Sequence, residues 1–338
     1  MLKIGINYPW FKYGWDFGKA ALGWVKSGWK STVKKDICEL RKLGIFAMRW
    51  FILGDGRNYG KGVHAPHEDR YKKGQWRFDE PPALTKQFLR DFEWVLKTLS
   101  TYKMQLLPSL IDFRWCFPGS SLSNPRGKSF SFIKGGRIDI LIDERKYKIF
   151  FEKVLKPLLG VSIKYKEAIF AWELINEPEW IVKKTTVTYD WIKNFLKTGI
   201  GIINKAGFRS TIGFAHYDSL KEWDSIGLGV SLHQFHYYPG SLKISTLDKL
   251  RLHKYSERYP CFIGEFSSSE EEFPDYYIYR WPELGDEQSI YAKIKLIEAK
   301  GYPYAFLWSM RAKDRATNWS GDTKLLLAKI KEEKGIVS

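Results

Sequence analysis

The feature that most constrains the fold of this 338-residue chain is an alternation repeated eight times. Short apolar, β-favouring runs occur at 3–7, 45–52, 105–111, 169–177, 210–214, 230–238, 261–266 and 304–309. Helical patterns follow them at 32–43, 84–102, 144–159, 190–205, 219–225, 247–256, 286–300 and 323–333. Apolar spacing that switches between a period of two and one of 3.6 marks each change of element. Strict alternation predicts a parallel sheet, and eight units predict its closure into a (β/α)8 TIM barrel of the α/β class. The length suits one barrel with enlarged loops. No internal repeat or Pro/Ser-rich linker divides residues 1–338, which are read as a single domain.

Loop lengths say which end of such a barrel carries chemistry. Helix-to-strand connections are tight, as at Leu43-Gly44-Ile45, Ala206-Gly207-Phe208, Tyr259-Pro260-Cys261 and Gly301-Tyr302-Pro303. Strand-to-helix connections are long, at 8–31, 53–83, 112–142 and 267–285. In these barrels the strand-to-helix loops build the active face and the opposite end serves stability.

Composition narrows the class. A hydrophobic content of 44% excludes a disordered chain. Aromatics reach 17%, with 15 Trp, more than a core of Leu, Ile and Val needs; flat apolar faces with polar edges suit a carbohydrate groove as well as core packing. The net charge of +17 is spread along the chain without a tight basic run. It is read as solvated helix faces, so no nucleic-acid partner is expected, and an anionic-polymer binder is kept only as a rival. Cys38, Cys116 and Cys261 have neither metal-ligand spacing nor an even count, which points to a reducing compartment. Residues 1–10 enter a strand directly, with no signal-peptide pattern and no membrane-length apolar segment. A cytoplasmic location without membrane association is therefore expected; secretion would require a leader ahead of Met1. Nothing bears on the oligomeric state.

Two carboxylates stand where chemistry is expected. The fourth run closes as Trp172-Glu173-Leu174-Ile175-Asn176-Glu177-Pro178-Glu179, and Pro178 stops the strand after Glu177. Alternation predicts Glu173, Ile175 and Glu177 on one face. The seventh run ends Phe262-Ile263-Gly264-Glu265-Phe266, with Gly264 leaving space beside Glu265. Fourth and seventh strands reach a barrel mouth from opposite sides, so the two carboxylates can flank a bond between them. Retaining glycoside hydrolysis needs such a pair about 5–5.5 Å apart, one as acid/base and one as nucleophile.

The Asn176-Glu177-Pro178 and Gly264-Glu265-Phe266 motifs, within the eightfold pattern, resemble the clan A glycoside hydrolases, and most closely glycoside hydrolase family 5, the cellulase and mannanase family. The resemblance covers essentially the whole chain in strand order. It implies a retaining β-glycoside hydrolase acting on mannan- or glucan-type substrates, with Glu177 as acid/base, Glu265 as nucleophile and no cofactor. It further implies that Asn176 contacts the sugar 2-hydroxyl, that Arg49 and Tyr238 hold the nucleophile, that His236 orients the acid/base or a hydroxyl, and that Trp308 floors the cleavage subsite. Arg49 is expected to keep Glu265 ionised; the alternative is a pairing with a structural carboxylate such as Glu173. Glu177 should begin protonated, raised by a negative neighbour and partial burial. The third strand departs from the family, reading Asp112-Phe113-Arg114 where Asp-x-His is usual, and His216 is the candidate substitute. Asp112, Trp115, Trp10, Trp15 and Trp50 are further sugar-contact candidates. A non-catalytic carbohydrate-binding barrel is the alternative reading.

Other motifs carry less. The glycine-rich stretch 54–60 lacks the order and following helix of a dinucleotide site, and Leu122 stands where a phosphate loop ending at Arg126-Gly127-Lys128-Ser129 needs glycine. His64 and His67, beside Glu68 and Asp69, lack a third ligand in a defined helix. No Ser or Cys sits in a nucleophile elbow.

Overall fold

The computed structural model of the chain describes residues 1–11, 16–18, 28–54, 56, 80–116, 137–238, 261–267, 290–311 and 323–333. Eight parallel strands pair in sequence order and close on themselves, β8 beside β1. They are β1 Lys3–Asn7, β2 Ala47–Phe51, β3 Gln105–Asp112, β4 Trp172–Asn176, β5 Ser210–Phe214, β6 His233–Tyr237, β7 Cys261–Ser267 and β8 Tyr304–Trp308. The (β/α)8 barrel read from the sequence is the fold. β2, β4, β6 and β8 trim the predicted runs, β1 and β5 match them, and β3 and β7 run one residue longer; Leu232, for instance, is spent on a turn in which its N–H donates to the Ser210 carbonyl.

Helices form where apolar side chains recur along one face. In Trp29–Lys42 the buried stripe is Val33, Ile37 and Leu40. Lys86–Thr101 starts at Thr85, whose side chain accepts the Phe88 N–H, and it buries Phe88, Phe92, Val95 and Leu99. The predicted helix at 144–159 runs on to Ile163 but widens into a π turn over Phe151–Leu155. Pro157 follows at once; it offers no N–H and its ring crowds the preceding turn. The predicted helix at 219–225 is shorter, Ser219–Glu222. Ile290–Ala299 and Thr323–Glu333 are helical as read, whereas 247–256, Trp15, His64, His67 and 126–129 lie outside the described residues. Exposed pairs such as Glu144 with Lys148 and Glu152 with Lys156 place charged side chains on outer helix faces.

Apolar packing among the described residues forms two main regions and a small aromatic group at the mouth. A large cluster lies between barrel and helices. A smaller one plugs the lumen at the N-terminal ends of the strands, where Phe170 meets Phe262 at 5.4 Å and Phe306 at 5.7 Å between ring centroids. Above that plug the lumen turns polar.

Candidate active site

Arg49 organises the middle of the barrel. It lies on β2 two residues beyond Ala47 of the plug, so the pleat turns it inward, and it is fully buried. Nε and Nη2 donate to the two oxygens of Glu173 at 2.7 and 2.6 Å. Nη1 donates to Asn7 Oδ1 at 2.9 Å and to Glu265 Oε1 at 2.5 Å, and Nη2 also donates to Asn176 Oδ1 at 2.7 Å. Arg49 thus takes both partners weighed for it. Burial works against its charge, but Glu173 and Glu265 outweigh that and hold it protonated. Glu173 also accepts from Ser109 Oγ at 2.6 Å and Gln234 Nε2 at 2.5 Å. Against the cost of burial, Arg49, and after it Ser109, keep its pKa below the ordinary carboxylate value. Gly213 makes room, since a Cβ there would stand 2.8 Å from Glu173 Oε1.

The strict alternation expected along β4 does not hold. A register shift in the β4–β5 pairing between Glu173 and Asn176 re-aims the strand. Asn176, an odd step from Glu173, faces inward to Arg49, while Ile175 joins the outer apolar cluster. Similar shifts between Phe235 and His236 and between Ile263 and Phe266 lie where β6, β7 and β8 approach the mouth.

At the mouth Glu177 and Glu265 face one another. Oxygens of both carboxyl groups and a ring nitrogen of His236 all lie within 4.8 Å of each other. His236 Nδ1 is 2.8 Å from Glu177 Oε1 and 3.6 Å from Glu265 Oε2, and Tyr238 donates its hydroxyl to Glu265 Oε2 at 2.7 Å. His236 and Tyr238 thereby hold the two carboxyl groups by direct hydrogen bonds.

The two carboxyl groups differ in electrostatics. Burial lifts Glu177 to about 7, Glu173 adds to the rise, and Arg114, Arg49 and a Trp180 hydrogen bond oppose it. Glu265 is also raised by burial, against His236, Arg49 and Tyr238. Arg49 acts in the expected direction, toward the ionised form, without outweighing burial. The reason is geometric, because Arg49 gives Glu173 two N–H groups and Glu265 one, and Glu177 faces Glu265. Both Glu265 oxygens nonetheless accept donors, an arrangement that serves the ionised form. His236 is fully buried and lowered to about 4 chiefly by desolvation, so at neutral pH it is an uncharged imidazole between two carboxyl groups.

The remaining candidates divide. Asp112 accepts from Asn176 Nδ2 at 2.9 Å and from the Arg114 N–H at 2.9 Å, and so orients the Asn176 amide. Trp308, Phe51, Trp10 and Tyr238 form an aromatic wall beside Glu265, with the Trp10 and Trp308 rings 6.3 Å apart and edge-on. The peptide bond after Trp308 is cis. His216 sits at the exit of β5 against the Trp180 ring, 6.0 Å between centroids. Trp50 and Trp115 are corrections. Trp50 follows Arg49, so the pleat turns it outward onto Tyr8 and Phe17, with its indole N–H on Asp16 at 2.8 Å. Trp115 is buried against Phe150 and Gly56. Sequence reasoning passed over Asn7, Ser109 and Gln234; the available signal was a polar residue at an inward position of an otherwise apolar run.

A closed barrel with this order and this polar mouth invites comparison with solved enzymes. The fold is shared with β-mannanases. The chain superimposes on a β-1,4-mannanase from the sea hare Aplysia kurodai with a TM-score of 0.63 and 19% identity, covering 98% of this chain and 93% of that one. An endo-1,4-β-mannanase from Eisenia fetida gives 0.68 and 17%, covering 97% and 89%. A hyperthermostable endo-1,4-β-D-mannanase from Thermotoga petrophila gives 0.56 and 14%, covering 99% of each. No protein-family model and no curated protein matches the sequence. The likeness is one of fold.

Proposed function

We propose that this chain is a retaining β-glycoside hydrolase of the family 5 type, acting on β-1,4-linked substrates of the mannan type. The observation that carries the reading is the pair Glu177 and Glu265, opposed across the mouth with oxygens within 4.8 Å and held by different donors. Such a separation suits direct attack on an anomeric carbon; an inverting pair stands farther apart to admit water. Glu265, ionised and aimed by Arg49 and Tyr238, attacks the anomeric carbon. Glu177, with a pKa of about 7, protonates the departing oxygen. Water then hydrolyses the glycosyl-enzyme while Glu177, now ionised, takes its proton. Neutral His236 contributes without competing for that proton. The aromatic wall of Trp308, Phe51 and Trp10 offers an apolar face to a sugar ring. The mannan preference rests on the solved β-mannanases that share the fold.

The test is reducing-sugar release from β-mannan, β-glucan and xylan and their oligosaccharides by wild type and Glu265→Ala in parallel. Release from mannan with retention of anomeric configuration, abolished in the variant, is expected. Inversion, or full activity in Glu265→Ala, would overturn the mechanism; preference for glucan or xylan would overturn the substrate.

A further inference from the structure

Two residues past Glu177 lies a second buried carboxyl group that the reaction does not use. Glu179 opens the helix Glu179–Lys184 and is 3% exposed. Its Oε1 accepts the N–H of Ala215, just beyond β5, at 2.8 Å. Ser219, the first residue of Ser219–Glu222, faces the same carboxyl group and opposes the rise in its pKa. One side chain therefore ties together the exit of β4, the exit of β5 and the start of the next helix.

The turn bearing Glu177 needs such a tie. Glu177 has φ 46°, in the left-handed region that is unfavourable for a residue with a side chain. Its N–H donates to the Gly213 carbonyl at 2.6 Å, and the Trp180 N–H returns to the Glu177 carbonyl at 3.2 Å. Those bonds hold the backbone of the turn to itself and to β5, but leave the following helix to be seated by its side chains. We propose that Glu179 is a positioning residue: its carboxyl group clamps the turn bearing Glu177 onto the exit of β5 and so aims the acid/base at the bond to be cleaved. The inference rests on Glu177 being the acid/base.

The clamp works as the uncharged acid. Glu179 Oε2 is buried without a hydrogen-bond partner, a position in which a carboxylate oxygen would lack any donor. Burial pushes Glu179 up to about 8 against Ser219, its own N–H and that of Ala215, and the charge of Glu177 pushes the same way. The elements around it also carry Arg114 and Cys116 on the turn Phe113–Cys116, His216 and Asp218 after β5, and Lys183 and Lys184 on its own helix. When Glu177 gives up its proton, its new charge makes Glu179 hold its own more tightly. The turn then carries at most one negative charge, on Glu177 and only after it has given up its proton.

Three substitutions test the clamp on mannan oligosaccharides across pH. Glu179→Gln keeps the shape and the acceptor for Ala215, Glu179→Asp shortens the reach, and Glu179→Ala removes it. Glu179→Gln should retain wild-type kcat, while the Asp and Ala variants should lose about 10- to 100-fold in kcat with little change in KM. In those two the alkaline limb of the kcat/KM profile should also move. Wild-type kcat and limb in Glu179→Ala, or equal loss in the Gln and Ala variants, would overturn the proposal; if the Ala variant does not fold, the Asp variant carries the same comparison. If wild type cleaves no β-glycan, the acid/base reading has failed, and the clamp is then read without substrate. Amide exchange at Ala215 should be slow in wild type and Glu179→Gln and faster in Glu179→Asp; equal rates in all three would overturn it.

Discussion

The plug and the layer above it share the same barrel lumen, two residues apart on β2 (Ala47 and Arg49) and β3 (Leu107 and Ser109), yet they are held together by opposite means. In the plug, Phe170, Phe262 and Phe306 exclude water through ring contacts, and every contact has neighbours that share the load. One step toward the mouth, Arg49, Glu173, Asn7, Ser109 and Gln234 form an ionic network in which each group depends on the others. Buried ion pairs contribute little net stability because desolvation offsets attraction, but they fix position closely. The contrast teaches where this fold places strength and where it places geometry: the plug holds the barrel closed, and the network aims Glu265.

The largest effect expected to separate the two regions is on activity. Glu265→Ala should lower kcat by about 10^4- to 10^6-fold. Its melting temperature should not fall, since Arg49 keeps Glu173 and Asn7 as partners. A variant that loses stability along with activity would show that Glu265 belongs structurally to the network. Next is Arg49→Met, which strands Glu173 and frees Glu265. Breaking a buried pair in this way should cost about 3–5 kcal/mol of stability, with a loss of about 10^2-fold or more in kcat. Denaturant unfolding and kinetics on one preparation read both, and a change in only one of them would dissolve the link between network and catalysis.

Phe170→Ala is the counterpart in the plug. A loss of about 3–5 kcal/mol is expected from the cavity, with kcat per folded molecule unchanged; a fall in kcat would mean that the plug also positions the site. Smallest is a pH effect on stability. The pKa of Glu177 is raised on folding, so its contribution is present at acid pH and lost as pH rises through about 7. Glu177→Gln should therefore melt about 1–4 °C above wild type at pH 8 and show no such gain at pH 5. The same titration should bring wild-type kcat/KM down above pH 7, and a rate level to pH 9 would deny Glu177 the acid role.

Much of this was legible in the chain itself. Eight alternating units dictated a parallel barrel because a strand buried on both faces needs a helix to cross back, and tight and long loops told its two ends apart. The ends of the fourth and seventh runs named Glu177 and Glu265 before any distance was known, and the resemblance to the glycoside hydrolase family pointed to Arg49, His236 and Tyr238 beside them. Trp50 and Trp115 went the other way, because an aromatic residue looks alike in a list whether it faces a groove or a helix.

Other features required three dimensions. Asn176 reaches Arg49 only because of a register shift that no period-two reading can contain. Asn7, Ser109 and Gln234 come from three distant strands and acquire a purpose only when the barrel closes around one guanidinium group. Local pattern therefore determined which elements form and where the two carboxylates stand. The pKa of Glu177, the sharing of Arg49 between Glu173 and Glu265, and the burial of Glu179 were decided by tertiary packing, because desolvation and charge pairing depend on residues far apart in sequence.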